Sequence, residues 1–452
     1  MCKKILSVIF AVIIAATCIP FASAAVRGDV DGNGKVNSSD ALTVLQYSVG
    51  QIKTISKTKA DVNGDGEINS SDALMILQIS VGMITDIKAG FIFLHDENST
   101  YDYNFMEAAE EVCRKMNIEM VKKVNIDESN SCYNAARELI KEGCNFIFAD
   151  SFGHEDFMIT AAKEYPNVQF VHATGTKANS EKLKNYHNTF ASIEQGRYLT
   201  GVAAGMKLNE MISQGRFTAD EAKMGFVGSF TYAEVISSYT AFYLGAKSVC
   251  PSVKMEVQFT GSWYDETAEK EATTKLINRG CKIISQHADS LGAPMACEYN
   301  GIPNITYNVN TKDWCPNTYL VCSKINWEPI ITYYFNSLMT GKSLGSDYCG
   351  SLADGSVEIG TVNGSVAAKG TQAKIDSVKK DLINGKIHVF DTSTFTVGGQ
   401  TLKSYKADVI TDWGYMPDTE VVSSGYFHES EYRSAPYFDI RIDGIEILNE
   451  KF

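Results

Sequence analysis

Beyond its first residues, the chain has no apolar run of the roughly 18 to 20 residues that a membrane-spanning helix requires. The first 24 residues follow the pattern of a secretory signal peptide, because Lys3 and Lys4 precede a short apolar run that ends in Ala-Ser-Ala. We therefore predict that residues 1–24 are removed, that the mature protein is secreted, and that it has no transmembrane segment.

Positive charge is also scarce. The chain has 41 lysines and arginines against 54 aspartates and glutamates, which gives a formal net charge of −13. An acidic protein repels phosphate backbones and anionic lipids. We therefore expect neither a nucleic acid polymer nor a membrane surface as a partner.

Cysteines are few for the length of the chain. There are 11, and two of them, Cys2 and Cys18, lie in the predicted signal peptide. The remaining cysteines are odd in number and lack the dense spacing of a small disulfide scaffold. This pattern predicts buried free thiols.

A repeat stands near the start of the chain. The stretch GDVDGNGKVNSSDALTVLQYSVG at residues 28–50 returns almost unchanged as ADVNGDGEINSSDALMILQISVG at residues 60–82. In each copy, oxygen-bearing side chains stand at loop positions 1, 3, 5, 9 and 12, position 6 is glycine, and position 7 offers its backbone carbonyl. This spacing predicts two calcium ions as cofactors. The predicted ligands are Asp29, Asp31, Asn33, Lys35, Asn37 and Asp40 in one loop, and Asp61, Asn63, Asp65, Glu67, Asn69 and Asp72 in the other, with Lys35 and Glu67 binding through their backbones.

The double loop resembles a type I dockerin, the module that attaches cellulosomal proteins to the cohesin domains of a scaffoldin. Each loop is followed by one helix and preceded by none, and position 12 is Asp where an EF-hand has Glu. The resemblance implies that a cohesin is the partner and that it contacts loop positions 10 and 11. Because these two positions are identical in both copies, the module offers two equivalent binding faces. These cohesin-contacting residues are Ser38, Ser39, Ser70 and Ser71.

From residue 89, short apolar runs alternate with helical segments. Examples of the runs are GFIFLH at 90–95, NFIFAD at 145–150 and MGFVGSF at 224–230, and the first helical face combines Phe105, Ala108, Val112 and Met116. Strands that alternate with helices predict parallel sheets. A polar interruption near residues 205–223 favours two lobes over one sheet.

Polar and aromatic residues follow many of the predicted strands. Ligands of doubly wound sheets bind at the carboxyl ends of strands. We therefore predict a cleft between the lobes that holds a small polar molecule with a flat part. The candidate ligand-binding residues are Tyr103, Asn104, Phe152, Trp263, Asp289, Asn308 and Lys324.

This region resembles the basic membrane protein family, which comprises nucleoside-binding receptors of ABC importers with the type I periplasmic-binding-protein fold. The likeness rests on YDYNFMEAAEEV, EQGRYLTGVAAGMKL, SKINWEP and the long stretch from MGFVGSFTY to QHADS. It implies ligand contacts by Tyr103, Asn104, Trp263 and Lys324, and an importer permease as a further partner. Asn308 stands where the family commonly has a ribose-binding aspartate, so a nucleobase or another flat polar solute is an alternative to a nucleoside.

The alternative function is a dockerin-borne hydrolase that acts on polysaccharide, because dockerins most often carry glycoside hydrolases. A retaining hydrolase needs two carboxylates about 5 Å apart, and Asp265 with Asp289 are candidates. However, eight successive βα units are not visible, and the chain lacks the motifs G-x-S-x-G, H-E-x-x-H and Cys–His zinc spacing. His95, His154, His172 and His287 are isolated. We therefore expect no enzymatic activity.

The predicted fold class is α/β: a two-lobed type I periplasmic-binding-protein fold, with two doubly wound parallel sheets, preceded by a small α-helical calcium-binding dockerin. The predicted segments are the signal peptide (1–24), the dockerin (27–86), the solute-binding domain (89–390) and a C-terminal extension (391–452). In the tail, residues 388–409 and 436–448 each read as a β-hairpin. The expected location is extracellular, or at the cell surface through a scaffold.

Overall fold

A computed structural model describes residues 28–81, 87–411 and 416–451. The predicted signal peptide lies outside these residues. The chain divides into two compact units, Met1–Val81 and Gly82–Phe452. None of the helices in the described ranges combines the length and the apolar character that crossing a bilayer requires.

The first unit is helical, as the repeat predicts. Asparagine caps both of its longer helices: Asn37 and Asn69 each accept a hydrogen bond from a backbone N–H two residues on, and the aspartate three residues on bonds back to the cap. The two helices pack on each other through alanine and branched apolar side chains. The helices are α1 (Ser38–Ser48), α2 (Lys57–Ala60) and α3 (Ser70–Ser80).

The short helix α2 contradicts the expectation that no helix precedes either loop. Ala60 at its end is fully buried, and the Lys59 carbonyl accepts a hydrogen bond from the Gly28 N–H at 3.2 Å. Tertiary contacts therefore stabilise a turn that the local sequence does not signal. The turn links the start of the first loop to the start of the second.

The second unit begins with a lobe built on a six-stranded parallel sheet. Its strands are β1 (Lys88–Ile92), β2 (Glu119–Lys123), β3 (Phe146–Ala149), β4 (Gln169–Ala173), β5 (Tyr186–Ala191) and β11 (Asp347–Gly350), in the spatial order β11-β5-β4-β3-β1-β2. The helices of this lobe 1 are α4 (Thr100–Lys115), α5 (Asn130–Lys141), α6 (Glu155–Glu164), α7 (Ala178–Glu181) and α12 (Trp327–Met339), with a 3-10 turn at Phe152–His154.

Lobe 2 is built on a seven-stranded sheet. Its strands are β6 (Lys223–Gly228), β7 (Lys254–Phe259), β8 (Ile283–His287), β9 (Asn304–Tyr307), β10 (Tyr319–Ile325), β12 (Val357–Ile359) and β17 (Ile445–Ile447), in the order β12-β10-β9-β8-β6-β7-β17. Only β12 pairs antiparallel. The helices are α8 (Ile193–Ser213), α9 (Ala233–Lys247), α10 (Glu266–Asn278), α11 (Gly292–Asn300) and α13 (Thr371–Ile383), with a 3-10 turn at Ala219–Glu221.

The predicted alternation and the two parallel sheets are therefore confirmed, but the boundary between the lobes is not where the polar interruption suggested. The chain leaves lobe 1 at Ser192, returns at Asn326, and crosses again over residues 351–356. Much of the interruption at 205–223 is the last part of α8, a long helix of lobe 2. The polar residues near 205–223 therefore lie within lobe 2, after the crossing at Ser192.

The core of lobe 1 confirms the predicted helical face. Phe105, Ala108, Val112 and Met116 are all buried. The Phe105 ring stacks on Trp327 of α12 with ring centroids 4.3 Å apart. Helix α12 comes from a distant part of the sequence, so aromatic packing holds the returning chain in lobe 1.

The extension contains short strands, as expected, but their pairing differs. Lys406–Ala407 (β13) pairs with Thr419–Glu420 (β14), and Val422–Ser423 (β15) pairs with Tyr426–Phe427 (β16). The hairpin expected at 388–409 is reduced to a bridge between Val397 and Gln400. The hairpin expected at 436–448 is wrong, because β17 joins the edge of lobe 2 parallel to β7.

The described cysteines are free thiols, as the spacing predicted. Eight of these nine side chains are buried, and the other, Cys349, is partly buried. Burial raises the pKa of several of them, for example that of Cys281 to about 12. A buried, protonated thiol is a poor nucleophile, so these residues act as small apolar side chains.

Helices α8 and α9 approach so closely that only glycine fits between them. A Cβ atom on Gly201 would stand 2.0 Å from the Phe242 carbonyl oxygen, and one on Gly245 would stand 2.0 Å from the Tyr198 carbonyl oxygen. Both obstacles are backbone atoms, which cannot rotate away. The contact between these helices therefore depends on the missing side chains.

We predict that Gly201→Ala lowers the free energy of unfolding by about 1–3 kcal/mol, because the added methyl group must push α9 away from α8. Chemical denaturation measures this change. Gly364→Ala is the matched control, since a Cβ there meets no atom within 4 Å, and it should change stability by about 0.5 kcal/mol or less. Equal stabilities of the two variants would contradict the close approach.

Candidate functional site

The carboxyl ends of strands from both sheets meet at one cavity. Lobe 1 contributes residues that follow β1, β3 and β4, and lobe 2 contributes residues from the ends of β8 and β9 and from the segments after β6 and β7. Loops and helix starts converge at such an edge, which is where α/β sheets bind ligands. The lining residues are Leu94, His95, Tyr101, Asp102, Asp150, Ser151, Phe152, Thr174, Glu234, Trp263, His287, Asp289 and Tyr307.

The first turn of α4 forms part of the lobe 1 wall. Ser99 caps the helix, and its hydroxyl donates to Asp102 Oδ2 at 2.5 Å. Asp102 Oδ1 accepts the His95 backbone N–H at 2.9 Å. The Tyr101 hydroxyl donates to the Asp150 backbone carbonyl at 3.0 Å. These bonds fix the first turn of the helix against the strand ends.

Asp102 and Asp150 form a pair of carboxyl groups with different protonation. Burial raises the pKa of Asp150 well above its usual range, and the neighbouring charge of Asp102 raises it further. Burial opposes ionisation of Asp102 as well, but hydrogen bonds with His95, Asp150 and Ser99 together lower its pKa. The two carboxyl groups therefore differ in acidity, and Asp102 ionises more readily than Asp150.

Lobe 2 contributes an aromatic wall. The ring centroids of Phe230 and Trp263 are 5.1 Å apart, and those of Phe230 and Tyr232 are 5.2 Å apart. Trp263 lines the cavity and is only half-buried. A flat, partly exposed ring at this position offers a stacking surface.

Behind this wall, Tyr307 is packed between His287 and a buried arginine. The His287 ring centroid lies 4.6 Å from that of Tyr307, and the Arg197 guanidinium carbon lies 3.8 Å from the Tyr307 ring centroid. Burial lowers the pKa of Arg197 to about 10, so it remains charged at neutral pH. Its guanidinium nitrogens have no hydrogen-bond partner among the described residues. The face of the tyrosine ring therefore provides the contact that stabilises this charge.

Asp289 joins the two lobes through its backbone. Its carbonyl accepts the Thr100 N–H of lobe 1 at 2.8 Å, and its N–H donates to the Trp263 carbonyl at 2.9 Å. Its carboxyl group is buried at the cavity, where Oδ1 has no partner among the described residues. Burial raises its pKa well above the usual range, and the charge of Asp102 adds to the shift.

Three of the predicted ligand-binding residues come together at this cavity: Phe152, Trp263 and Asp289. The Phe152 ring of lobe 1 stacks on Tyr232 of lobe 2, with centroids 5.1 Å apart and planes 29° apart. This stack crosses the cleft between the lobes. Asp265, the second carboxylate considered for a hydrolase, instead caps α10 by accepting the Ala268 N–H at 2.9 Å.

The other four candidates are not among the residues that line the cavity. Tyr103 donates its hydroxyl to Glu107 on the exposed side of α4. Asn104 and Lys324 line a different, open groove, where the Asn104 amide donates to the Ile325 carbonyl at 2.7 Å. Asn308 is buried behind the cavity in a left-handed conformation (φ 62°) and accepts the Ile325 N–H at 3.4 Å.

On α4, Tyr101 and Asp102 line the cavity, whereas the predicted Tyr103 and Asn104 stand two residues further along the helix. Sequence reasoning also missed Asp150, Glu234, His287 and Tyr307 as lining residues. Each of Asp150, His287 and Tyr307 ends or directly follows a strand, and this position is the signal that could have identified them. Glu234 lies in the first turn of α9, and its carboxylate is 3.2 Å from His287 Nε2.

In the first unit, three of the predicted ligands of the first loop lie close together. Carboxylate oxygens of Asp29, Asp31 and Asp40 lie within 4.8 Å of one another. Asp40 is fully buried and accepts the Asp31 N–H at 3.0 Å and the Asn37 N–H at 2.9 Å. These bonds close the loop around the oxygen cluster.

One further observation indicates that the first loop fits a divalent cation. Asp29 Oδ1 is buried and has no hydrogen-bond partner among the described residues. A buried carboxylate oxygen without a partner is costly, and a hard cation would satisfy it. In the second loop, Asp72 is fully buried, as Asp40 is in the first loop. Burial raises the pKa values of both Asp61 and Asp72.

The repeat also displays two matching surfaces. The serine pairs at loop positions 10 and 11 are exposed in both copies. Apolar side chains of the following helix are exposed beside them, and each has a counterpart 32 residues later. They are Leu42, Leu45 and Val49 in one copy, and Leu74, Leu77 and Val81 in the other.

The fold and the cleft define a two-lobed solute-binding protein. The sequence profile of the Bmp family, described as ABC transporter substrate-binding protein PnrA-like, matches residues 93–393. The chain belongs to this family, which is one of solute-binding proteins. The profile of the dockerin type I domain matches residues 27–78. Both resemblances predicted from the sequence are therefore confirmed.

Two relatives illustrate the breadth of this likeness. The chain is 26% identical over 324 residues to a purine-binding protein of Brucella abortus, and this alignment covers 70% of this chain and 88% of the relative. It is 25% identical over 337 residues to the ABC transporter nucleoside-binding protein BmpA of Lactococcus lactis, and this alignment covers 68% of this chain and 89% of the relative.

A solved structure supports the fold. An ABC transporter solute-binding protein from Conexibacter woesei superposes with a TM-score of 0.55 at 19% sequence identity, covering 67% of this chain and 98% of its own. At this identity the comparison concerns the fold alone.

The protonation of Asp150 leads to a prediction about pH. Because its folded pKa is raised, the folded state binds the proton more tightly than the unfolded state, and Asp150 makes the protein less stable as pH rises above the usual aspartate pKa. Asp150→Asn removes this dependence. The difference in the free energy of unfolding between Asp150→Asn and the unmodified protein should therefore grow in favour of the variant as the pH rises from 5 to 8, as measured by urea denaturation.

Asp150→Ala is the companion variant, because it also removes the acceptor of the Leu94 N–H, bonded at 3.2 Å. It should be less stable than Asp150→Asn at both pH values. A constant difference between Asp150→Asn and the unmodified protein across this range would contradict the raised pKa.

Proposed function

We propose that the second unit binds a flat, polar solute of the nucleobase or nucleoside class in the interlobe cavity. The observation that carries this proposal is the composition of the cavity wall. It combines the half-buried indole of Trp263 with four carboxyl groups, those of Asp102, Asp150, Glu234 and Asp289, and it includes no lysine or arginine. Such a wall favours a ring rich in N–H donors over an anion.

The relatives add support for this ligand class, since one is named a purine-binding protein and another a nucleoside-binding protein. A free nucleobase is favoured over a nucleoside by two features of this chain. Asn308 stands in place of the ribose-binding aspartate and does not line the cavity, and Lys324 pairs with Glu358 at 3.3 Å outside it.

Binding closes the lobes without changing the ligand. The wall is divided between lobe 1 and lobe 2, so a ligand that touches both favours the closed arrangement by its difference in affinity for the two states. Transfer of the ligand to an importer permease is part of this proposal.

The test is a thermal-shift screen of the full chain with nucleobases, nucleosides, sugars and amino acids, followed by calorimetry on two variants. Trp263→Ala removes a stacking contact typically worth about 1–3 kcal/mol per base. Asp289→Asn removes a charge-assisted or carboxyl hydrogen bond of similar worth. Each should weaken binding of the best ligand by roughly tenfold or more.

Trp263→Ala should keep the melting temperature of the unliganded protein nearly unchanged, because Trp263 is not part of a closed core. A large loss of melting temperature with unchanged affinity would assign Trp263 to packing. Turnover of the bound ligand would favour the hydrolase alternative and contradict the binding function.

We propose further that the first unit is a calcium-dependent dockerin that attaches the secreted protein to a cohesin of a scaffold outside the cell. Residues 1–24 would serve as the signal peptide, 27–86 as the dockerin, 89–390 as the solute-binding domain and 391–452 as its extension. The pairs of exposed serines, with the apolar side chains beside them, support two equivalent cohesin faces.

Calcium removal should unfold the dockerin, because clustered carboxylates repel one another without a cation and the small unit has little core. Circular dichroism of residues 27–86 should lose its helical signal on chelation. Calorimetric titration should give two calcium ions for the unmodified segment and one for Asp40→Ala. Helicity that survives chelation would contradict the calcium assignment.

The two faces should be interchangeable. Replacing Ser38 and Ser39 with lysine, or Ser70 and Ser71 with lysine, should leave cohesin binding close to its original affinity, because the other face remains. Replacing all four should abolish it. A complete loss from one pair alone, measured by surface plasmon resonance, would contradict the dual face.

A further inference from the structure

Nearly all of the C-terminal extension lies beyond the part of the chain that the family profile matches, which ends at residue 393. Its described residues belong to the second unit and contact both lobes. These contacts lie close to the ligand cavity, as the following groups of bonds indicate.

The end of the extension belongs to the sheet of lobe 2. Strand β17 pairs parallel with β7, and the Met255 N–H donates to the Gly444 carbonyl at 3.1 Å. Asn449 continues the attachment: its Oδ1 accepts the Phe259 N–H at 2.8 Å and its Nδ2 donates to the Phe259 carbonyl at 3.1 Å. Separation of this segment from lobe 2 would require a strand to leave the sheet.

An earlier part of the extension is bonded to lobe 1. The Ser434 N–H donates to Asp347 Oδ2 of β11 at 2.7 Å. The Ser180 hydroxyl of α7 donates to the Thr411 carbonyl at 2.7 Å. These are two single hydrogen bonds, whereas the attachment to lobe 2 is a paired strand.

Between these attachments, the extension forms a wall beside the mouth of the cavity. Arg433 stiffens this wall, because its guanidinium donates to the carbonyls of Ala435, Asp408 and Pro436 at 3.0–3.1 Å. A groove there is lined by both lobes and by the extension. It shares Phe152, Thr174 and Glu234 with the ligand cavity, and it adds Arg433, Pro436 and Tyr437.

We propose that the extension is a strap that ties lobe 1 to lobe 2 beside the cavity mouth and thereby slows ligand exchange. Opening of the cleft must separate Ser434 from Asp347 and Thr411 from Ser180, or else remove β17 from its sheet. The strap therefore adds to the free energy of opening and shifts the population toward the closed state. The ligand-exchange part of this inference rests on the proposed function, whereas the restraint on opening does not.

The restraint on opening has a ligand-free readout. The Thr100 N–H bonds the Asp289 carbonyl across the two lobes, so its exchange with deuterium reports their separation. In the full chain, Asp347→Ala combined with Ser180→Ala should accelerate exchange in the peptide that contains Thr100 by about tenfold, the effect of losing two ordinary hydrogen bonds.

Ser404→Ala is the matched control, because the Ser404 hydroxyl bonds Glu420 within the extension, and it should leave this exchange unchanged. If the double variant misfolds, Ser180→Ala alone still tests the strap, because Ser180 is only partly buried. It should produce a smaller acceleration in the same peptide. Exchange at Thr100 that is equal in Ser180→Ala, Ser404→Ala and the unmodified protein would overturn the strap.

Adenine and adenosine serve as probes for the second consequence. The double variant should release whichever of them binds about tenfold faster than the unmodified protein in stopped-flow competition, while Ser404→Ala should not. If neither probe binds, the best ligand of the thermal-shift screen replaces them, and the exchange experiment by itself decides whether the extension restrains the lobes. If deuterium exchange at Thr100 becomes faster but ligand release does not, the extension restrains the opening of the lobes only. That outcome would overturn its role in ligand exchange.

Discussion

The architecture of the second unit depends on one constraint: the carboxyl ends of two parallel sheets must face the same cleft. The chain satisfies it by crossing between the lobes at Ser192, at Asn326 and over residues 351–356. The crossing at Ser192 begins the sheet of lobe 2, and the two later crossings add β11 and β12 to sheets that were begun earlier. The hydrogen bond from Thr100 to Asp289 and the stack of Phe152 on Tyr232 then join the lobes directly at the cleft.

The cleft resolves a conflict between charge and burial. Several carboxyl groups share a small, largely buried space, and they could not all be ionised there without strong repulsion. Burial raises the pKa of Asp150, hydrogen bonds lower the pKa of Asp102 beside it, and the buried charge of Arg197 lies against the ring of Tyr307. The same arrangement leaves carboxyl atoms without protein partners, which is what a ligand rich in hydrogen bonds requires.

The two units follow different physical principles. The second unit buries a large apolar core and is organised by packing, as the stack of Phe105 on Trp327 illustrates. The first unit has a small core, and its loops are ordered by hydrogen bonds to Asp40 and Asp72, which also belong to the capping boxes of α1 and α3. One aspartate in each copy therefore serves both the loop and the helix.

The sequence by itself determined the features that depend on local spacing: the loops from alternate oxygen-bearing residues, the face of α4 from its helical period, and the strands from apolar runs such as FIFA at 146–149. It placed Phe152, Trp263 and Asp289 at the cleft because they follow strands. Only the tertiary structure decided which residues of α4 face the cavity, because a helix turns by about 100° per residue and two positions separate Tyr101 from Tyr103. The polar strand β5 and the parallel pairing of β17 with β7 also escaped prediction, since both depend on partners distant in the chain. Long-range pairing and packing are not encoded in local spacing, and they set the lobes, the crossings and the path of the extension.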